Sequence, residues 1–262
     1  MRFAARLLGL MCVVPASILA SVFLAAANAV SPPLRRRCQP AMMRAWFRVL
    51  AYLWGLAVEV RGTPAPAPAL LACNHRSWLD IIALGATLPG TFVSKAEIDR
   101  WPLVGYFARH GGRTLYISRG EMRSFNALGG TLIGRLREGG RVIFFPEGTV
   151  SGDHMLLRFR PRLFEAAIAA ACPLQPVAIA YTGGDGGPFA PLGQTEKFAW
   201  HALRQLRCRR TEVRLDFLAP ISSAGTDAKS LAGQTQARVA AVLPGVGEPG
   251  TNRDTPPKLA LD

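Results

Sequence analysis

From Leu7 to Val30 the chain runs 24 residues without one charged side chain. As an α-helix this stretch is about 36 Å long, enough to cross or deeply enter the hydrocarbon of a bilayer. It leaves two ways for the remainder to fold: tethered to a membrane, or after removal of the stretch. Arg2 and Arg6 precede it, whereas Arg35, Arg36, Arg37, Arg44 and Arg48 follow it. The heavier positive flank predicts that the residues after the stretch stay cytoplasmic. Removal has its own signal, since Arg2 and Arg6 form a basic leader and Ala27-Asn28-Ala29 resembles a signal-peptidase site. The cysteines decide for an uncleaved anchor at the cytoplasmic (inner) membrane. Positions 12, 38, 73, 172 and 208 are scattered and contain no C-x-x-C pair, so neither a disulfide framework nor a zinc site is expected.

Pro32-Pro33 interrupts the helix. A second helix is expected over Ala41 to Val58, where Met43, Trp46, Phe47, Leu50 and Trp54 form an apolar stripe and Arg44 and Arg48 share another face. Trp and Arg in that arrangement suit the membrane–water interface. Residues 1–58 are therefore read as a membrane anchor with an interfacial helix, residues 59–245 as one folded domain, and residues 246–262, rich in Pro and Gly, as a disordered tail. The charge balance is strongly basic, 31 Lys and Arg against 17 Asp and Glu. Such a surface meets either nucleic acid or anionic lipid. No stacking or groove-reading motif is present, so a nucleic-acid partner is not expected and the bilayer is.

Beyond the connector Gly62 to Pro68, apolar runs and amphipathic segments alternate, which predicts an α/β domain with a central mixed sheet flanked by helices. Ala69 to Cys73 reads as a buried strand and Ile81 to Leu84 as the body of a helix, with Asn74-His75-Arg76-Ser77-Trp78-Leu79-Asp80 between them. In a continuous helix positions 75 and 80 point to different faces; in a strand-to-helix turn they can meet. A carboxylate beside an imidazole fixes its tautomer and leaves the other ring nitrogen free to take a proton. The plainer reading makes His75 a helix cap and Asp80 a first-turn acid. A second strand-like run, Arg141 to Phe145, leads into Pro146-Glu147-Gly148-Thr149. Leu128, Leu132 and Leu136 lie on one face of a helix stopped by Gly139-Gly140, and Pro176 is expected at the edge of a strand over Leu174 to Ala180.

Together, Asn74-His75-x4-Asp80 and Phe144-Phe145-Pro146-Glu147-Gly148-Thr149 resemble the two motifs of the glycerolipid (lysophospholipid) acyltransferase family, whose bacterial members acylate 1-acylglycerol-3-phosphate. The resemblance spans about Gly62 to Tyr181. It implies a glycerol-3-phosphate acyltransferase-like fold and an N-terminal helical pair docked on the membrane. It also implies that His75 acts as base with Asp80 orienting it, that Glu147, Gly148 and Thr149 shape the site or contact substrate, and that Lys95 and Arg119 hold the head group. The family carries Arg after the Thr, as a phosphate contact; here Val150 stands there. Loss of one cationic fork weakens phosphate binding by about 1.5–3 kcal/mol unless something replaces it, and Arg158, Arg160 and Arg162 follow closely. A subset of the family acylates lyso-ornithine lipid, and Glu147 to Asp153 and Gln175 to Tyr181 look similar to that subset.

The implied reaction is attack of a lysolipid hydroxyl on the thioester of acyl-CoA or acyl carrier protein, with phosphatidate as the default product. Backbone N–H groups in the two turns are candidates to hold the developing oxyanion. No metal or cofactor is called for. Gly148-Thr149-Val150-Ser151-Gly152 has the wrong spacing for a serine nucleophile. Two non-default readings stand beside this one: O-acylation of lyso-ornithine lipid, and a non-catalytic peripheral membrane-binding protein.

Overall fold

The computed structural model describes residues 1–95, 114–117, 122–151, 155–185 and 198–245. Two expectations fall outside this set: the head-group contact of Arg119 and the disordered tail from 246 onwards. The described elements are α1 (Arg2–Val30), α2 (Pro32–Leu53), β1 (Leu56–Gly62), β2 (Ala69–Cys73), α3 (Leu79–Thr87), β3 (Thr91–Lys95) and β4 (Thr114–Ile117). They continue with α4 (Met122–Arg137), β5 (Arg141–Phe144), a 3-10 turn (Pro161–Phe164) running into α5 (Glu165–Ala169), β6 (Leu174–Gly184), α6 (Phe198–Arg207), β7 (Thr211–Phe217) and α7 (Ala228–Ala240).

The strands form one sheet in the order β1-β7-β6-β2-β5-β3-β4. Only β6 and β7 pair antiparallel, so the sheet is mixed. β2 lies in the middle and all five of its residues are buried, as a strand covered on both faces requires. Its side chains alternate between the faces. Leu70 and Ala72 join Phe144, Leu128, Leu132, Leu136 and Phe164 in one core layer. Ala69, Leu71 and Cys73 join Leu84, Ile143, Ile179 and Leu215 in the other. The α4 stripe is thus core packing, as its spacing suggests.

Pro176 corrects one expectation. It lies on β6, an interior strand, opposite Ala72 of β2, and its carbonyl accepts the Leu218 N–H at 3.1 Å. The β6–β7 register starts one residue later, at Val177, so the missing proline N–H falls just outside that ladder.

The helical pair corrects another. Pro32 and Pro33 end α1 but also begin α2, occupying first-turn positions where no intrahelical N–H is needed. The second helix therefore starts nine residues earlier than the expected Ala41. It stops at Leu53, before Gly55 at φ +69°, and Leu56 to Val58 belong to β1, paired with β7. α1 and α2 form an antiparallel hairpin: the Trp46 indole N–H donates to Ser17 Oγ at 2.8 Å. α2 packs on α3 through Leu50, Ala51, Leu79 and Ile82, where Leu10 and Val13 of α1 also reach. Gly85 of α3 allows that approach, since a Cβ there would lie 2.4 Å from the Phe47 ring. At the other end of α1 the Arg6 guanidinium donates to the carbonyls of Leu206 at 3.1 Å and Arg209 at 2.8 Å, and to that of Cys208, closing the C-terminal end of α6.

Candidate active site

β2, β5 and β6 run parallel, so their C-terminal ends open on one rim of the sheet, the place where α/β sheets hold ligands. The chain leaves β2 into Asn74 and leaves β5 into Phe145, on adjacent strands. Asn74 is fully buried and continues the ladder with its side chain: its amide N–H donates to the Ile179 carbonyl at 2.9 Å, and its Oδ1 accepts the Ile179 N–H at 2.7 Å. That pair fixes the exit of β2 against β6 and sets the direction of the following turn.

In the turn, His75 and Asp80 meet. Nδ1 lies 2.8 Å from Asp80 Oδ2. The same oxygen accepts the N–H groups of Arg76 at 2.7 Å and Ser77 at 2.9 Å. Oδ1 accepts the Tyr181 hydroxyl at 2.6 Å. The Asp80 side chain is wholly buried, and each contact satisfies part of an acceptor that would otherwise be costly there. A carboxylate accepting from Nδ1 places the imidazole proton on Nδ1 and leaves the Nε2 lone pair free. The His75 side chain keeps 15 % exposure, so the imidazole is not wholly buried. Its ring stacks on Phe145, centroids 4.0 Å apart and planes 20° off parallel.

The turn after β5 clamps the backbone of His75 from both sides. Glu147 Oε1 accepts the His75 N–H at 2.7 Å, and Ser151 donates to the His75 carbonyl through its N–H at 2.7 Å and its Oγ–H at 2.9 Å. Glu147 Oε2 accepts the Leu157 N–H at 2.9 Å. Glu147 is only 2 % exposed. Burial pushes its carboxyl up to about 7, against the lowering pull of the two amides and of Arg76 nearby. Gly148 holds φ +71°, a left-handed conformation that favours glycine, and Thr149 is buried. The N–H groups of His75, Arg76, Ser77 and Gly148 are all engaged within the turns. Those of Thr149 and Val150 have no partner among the described residues.

The remaining sequence-selected positions divide. Lys95 ends β3, which runs parallel to β5 and opens on the same rim, but its side chain is not among the described ones. Arg119 lies outside the described residues, two positions after Ile117, which pairs with Lys95. Arg160 stands beside the Gly148 turn: its guanidinium carbon is 3.8 Å from where a Gly148 Cβ would be, and its N–H donates to the Pro146 carbonyl at 3.1 Å. His201 is buried on α6, where its Nδ1 accepts the Trp78 indole N–H at 3.0 Å. No cluster of His, Cys, Asp or Glu able to hold a metal exists among the described residues.

Sequence reasoning missed Ser151 as a clamp and Tyr181 as a partner of Asp80. Nothing local announces either: the spacing around Ser151 speaks only to a nucleophile, and Tyr181 lies 101 residues from Asp80.

Fold and site together define an acyltransferase on a mixed α/β sheet. The sequence model of the Acyltransferase family matches residues 57–180. The chain is 39 % identical over 223 residues to the lyso-ornithine lipid O-acyltransferase of Pseudomonas aeruginosa, covering 84 % of each. It is 33 % identical over 183 residues to the 1-acyl-sn-glycerol-3-phosphate acyltransferase of Neisseria meningitidis, covering 68 % of this chain and 71 % of that one. The crystal structure of the 1-acyl-sn-glycerophosphate acyltransferase PlsC from Thermotoga maritima has the same fold, with TM-score 0.64 at 20 % identity over 91 % of this chain and 95 % of that one. The chain belongs to the acyltransferase family.

Proposed function

We propose that the protein transfers a fatty acyl group from a thioester, acyl-CoA or acyl carrier protein, to the free hydroxyl of a lysolipid. The observation that carries this is the His75–Asp80 pair, with Nδ1 held at 2.8 Å and Nε2 without a hydrogen-bond partner among the described residues. An alcohol becomes a competent nucleophile only as its proton leaves, and the Nε2 lone pair of a neutral imidazole suits that task. The proton passes to Nε2 as the hydroxyl oxygen bonds to the thioester carbon. Collapse of the adduct then expels the thiolate, which takes a proton in turn. The N–H groups of Thr149 and Val150 are the available donors for the oxyanion. Glu147 shapes the site, because both its oxygens are engaged by backbone amides.

For the acceptor we favour lyso-ornithine lipid over the default 1-acylglycerol-3-phosphate. The relative from Pseudomonas aeruginosa supports it, as does the uncharged Val150 on the Gly148 turn. Arg160, beside that turn, is the cation suited to an oxyanion group on the acceptor, whether carboxylate or phosphate. The relative from Neisseria meningitidis keeps lysophosphatidate as the second reading.

The helical pair docks the enzyme on the bilayer, and the pairing of the two helices favours α1 lying in the surface. Leu8, Met11, Leu19 and Val22 form one exposed face of α1. α2 runs back along α1 and carries Arg35, Arg36, Arg37, Arg44 and Arg48. A spanning α1 would bring α2 and its arginines toward the hydrocarbon, where a charged side chain at mid-depth costs about 2.5–3.5 kcal/mol. The strongly basic chain, 31 Lys and Arg against 17 Asp and Glu, suits an anionic leaflet, and the cytoplasmic face of the inner membrane is the proposed location.

The deciding experiment offers labelled acyl donor with lyso-ornithine lipid and lysophosphatidate in competition to the full chain, beside its His75→Ala variant. Acylation of neither lipid, or equal acylation by the variant, overturns the proposal.

A further inference from the structure

We propose that Tyr181 is a positioning residue for acyl transfer: its hydroxyl locks the Asp80 carboxylate and tempers it as the partner of His75. The inference rests on His75 acting as the base. Oδ2 of Asp80 accepts from His75 Nδ1 and from the N–H groups of Arg76 and Ser77, all within the turn itself. Oδ1 accepts from Tyr181 alone among the described residues, at 2.6 Å. The turn thus holds one oxygen, and the sheet, through β6, holds the other. Without the second contact the carboxylate can pivot about its side-chain bond and take the imidazole with it.

The backbone of β6 is shaped for this contact. β2 pairs with β6 as far as Val177, and β6 continues past the rim to Gly184. Its register against β7 is regular to Tyr181 and slips between Tyr181 and Gly183. Tyr181 itself is in register, opposite Val213, so the regular part of the ladder carries its side chain to Asp80. The phenol so placed is held protonated, because burial and the Asp80 charge both push it well above its ordinary value. It therefore donates at every pH at which the enzyme works.

The consequence is electrostatic as well as geometric. The charged and titratable groups gathered around Asp80 are His75 and Arg76 from the turn, Cys73 from β2 and Tyr181 from β6, with Glu147 from the turn after β5 lying on the far side of Arg76 and the His75 backbone. Four donors share the carboxylate charge, so less of it falls on the imidazole. An Asp80 bound by His75 alone would favour the imidazolium more strongly, and a base already protonated cannot accept the hydroxyl proton.

The test is Tyr181→Phe in the full chain, which keeps the ring. The expected result is a kcat about tenfold lower, with KM for the lysolipid unchanged within twofold. The acid limb of kcat against pH should move up by roughly half a unit to one unit. Incorporation of 2,3-difluorotyrosine at 181, a stronger donor of nearly the same shape, should move that limb the other way and keeps the test open if the Phe variant fails to fold. In an Asp80→Asn background, Tyr181→Phe should cost little more. A lowered melting temperature with an unmoved pH profile and unmoved kcat overturns the inference. Full activity of His75→Ala overturns the base reading beneath it, a result readable without any Tyr181 variant.

Discussion

Glu147 reaches His75 through the main chain: its Oε1 accepts the His75 N–H at 2.7 Å, while the imidazole turns away to Asp80. The two motifs that stand 72 residues apart are therefore joined by a side chain and a backbone amide. The second motif holds the backbone of the first in place.

Removing the imidazole tests the chemistry directly. His75→Ala should lower kcat by about 10²–10⁴-fold, the usual worth of a positioned base, with binding to vesicles unchanged. Asp80→Asn should fall in the same range, since an amide can present its N–H to Nδ1 and select the wrong tautomer. Near wild-type turnover by either variant, measured with labelled acyl donor, rules out this assignment.

Burial of Glu147 makes stability depend on pH. Its carboxyl titrates at about 7 in the folded protein against an ordinary 4.5. The folded state therefore holds the proton more tightly than the unfolded chain. The stabilisation is fully present below about 4.5 and is lost as pH rises through about 7. The span corresponds to roughly 3 kcal/mol. Glu147→Gln has no proton to lose, so the stability difference between wild type and variant should change across that window. Denaturant unfolding in detergent at pH 5 and pH 8 measures it; parallel curves at both would show that Glu147 stays ionised throughout.

Arg160 and Val150 set the expected head-group preference. Arg160→Ala should raise KM for an anionic lysolipid by about 10–100-fold, as loss of a charged hydrogen bond does, with kcat little changed. Val150→Arg should improve use of lysophosphatidate relative to lyso-ornithine lipid. Steady-state rates with both acceptors decide this, and an unaltered ratio in Val150→Arg removes the specificity argument.

Gly85 controls how α2 meets α3. Alanine is the better helix former by about 1 kcal/mol, but its Cβ would lie 2.4 Å from Cδ2 and 2.5 Å from Cγ of Phe47. Overpacking of this kind costs about 1–3 kcal/mol, so the clash should win. Gly85→Ala should lower the melting temperature and expose the α2–α3 seam to protease. A variant as stable as the wild type would mean that the helical pair yields without cost.

The exposed face of α1 can be tested apart from catalysis. Leu19→Glu combined with Val22→Glu puts two charges on surface that contacts no other part of the described structure closely enough to be buried. Vesicle binding should drop at least tenfold while the melting temperature holds, because each charge opposes insertion and neither touches the core. Sedimentation with liposomes reads the outcome.

By itself the sequence determined the order of strands and helices, the apolar reach of α1, and the turn that seats His75 and Asp80. Each of these is written within a few neighbouring residues: in apolar periodicity, in an uncharged run, in a five-residue spacing. It misjudged α2 for a local reason, since a Pro pair that stops one helix also starts another. The tertiary structure alone decided what surrounds the pair. Asn74 meets Ile179, Tyr181 meets Asp80, and Ser151 meets His75 across separations of 105, 101 and 76 residues. Those meetings follow from strand order and register, which place β5 and β6 on either side of β2. Pairing between distant strands is selected by the burial of the whole sheet, and no short window of residues carries that information.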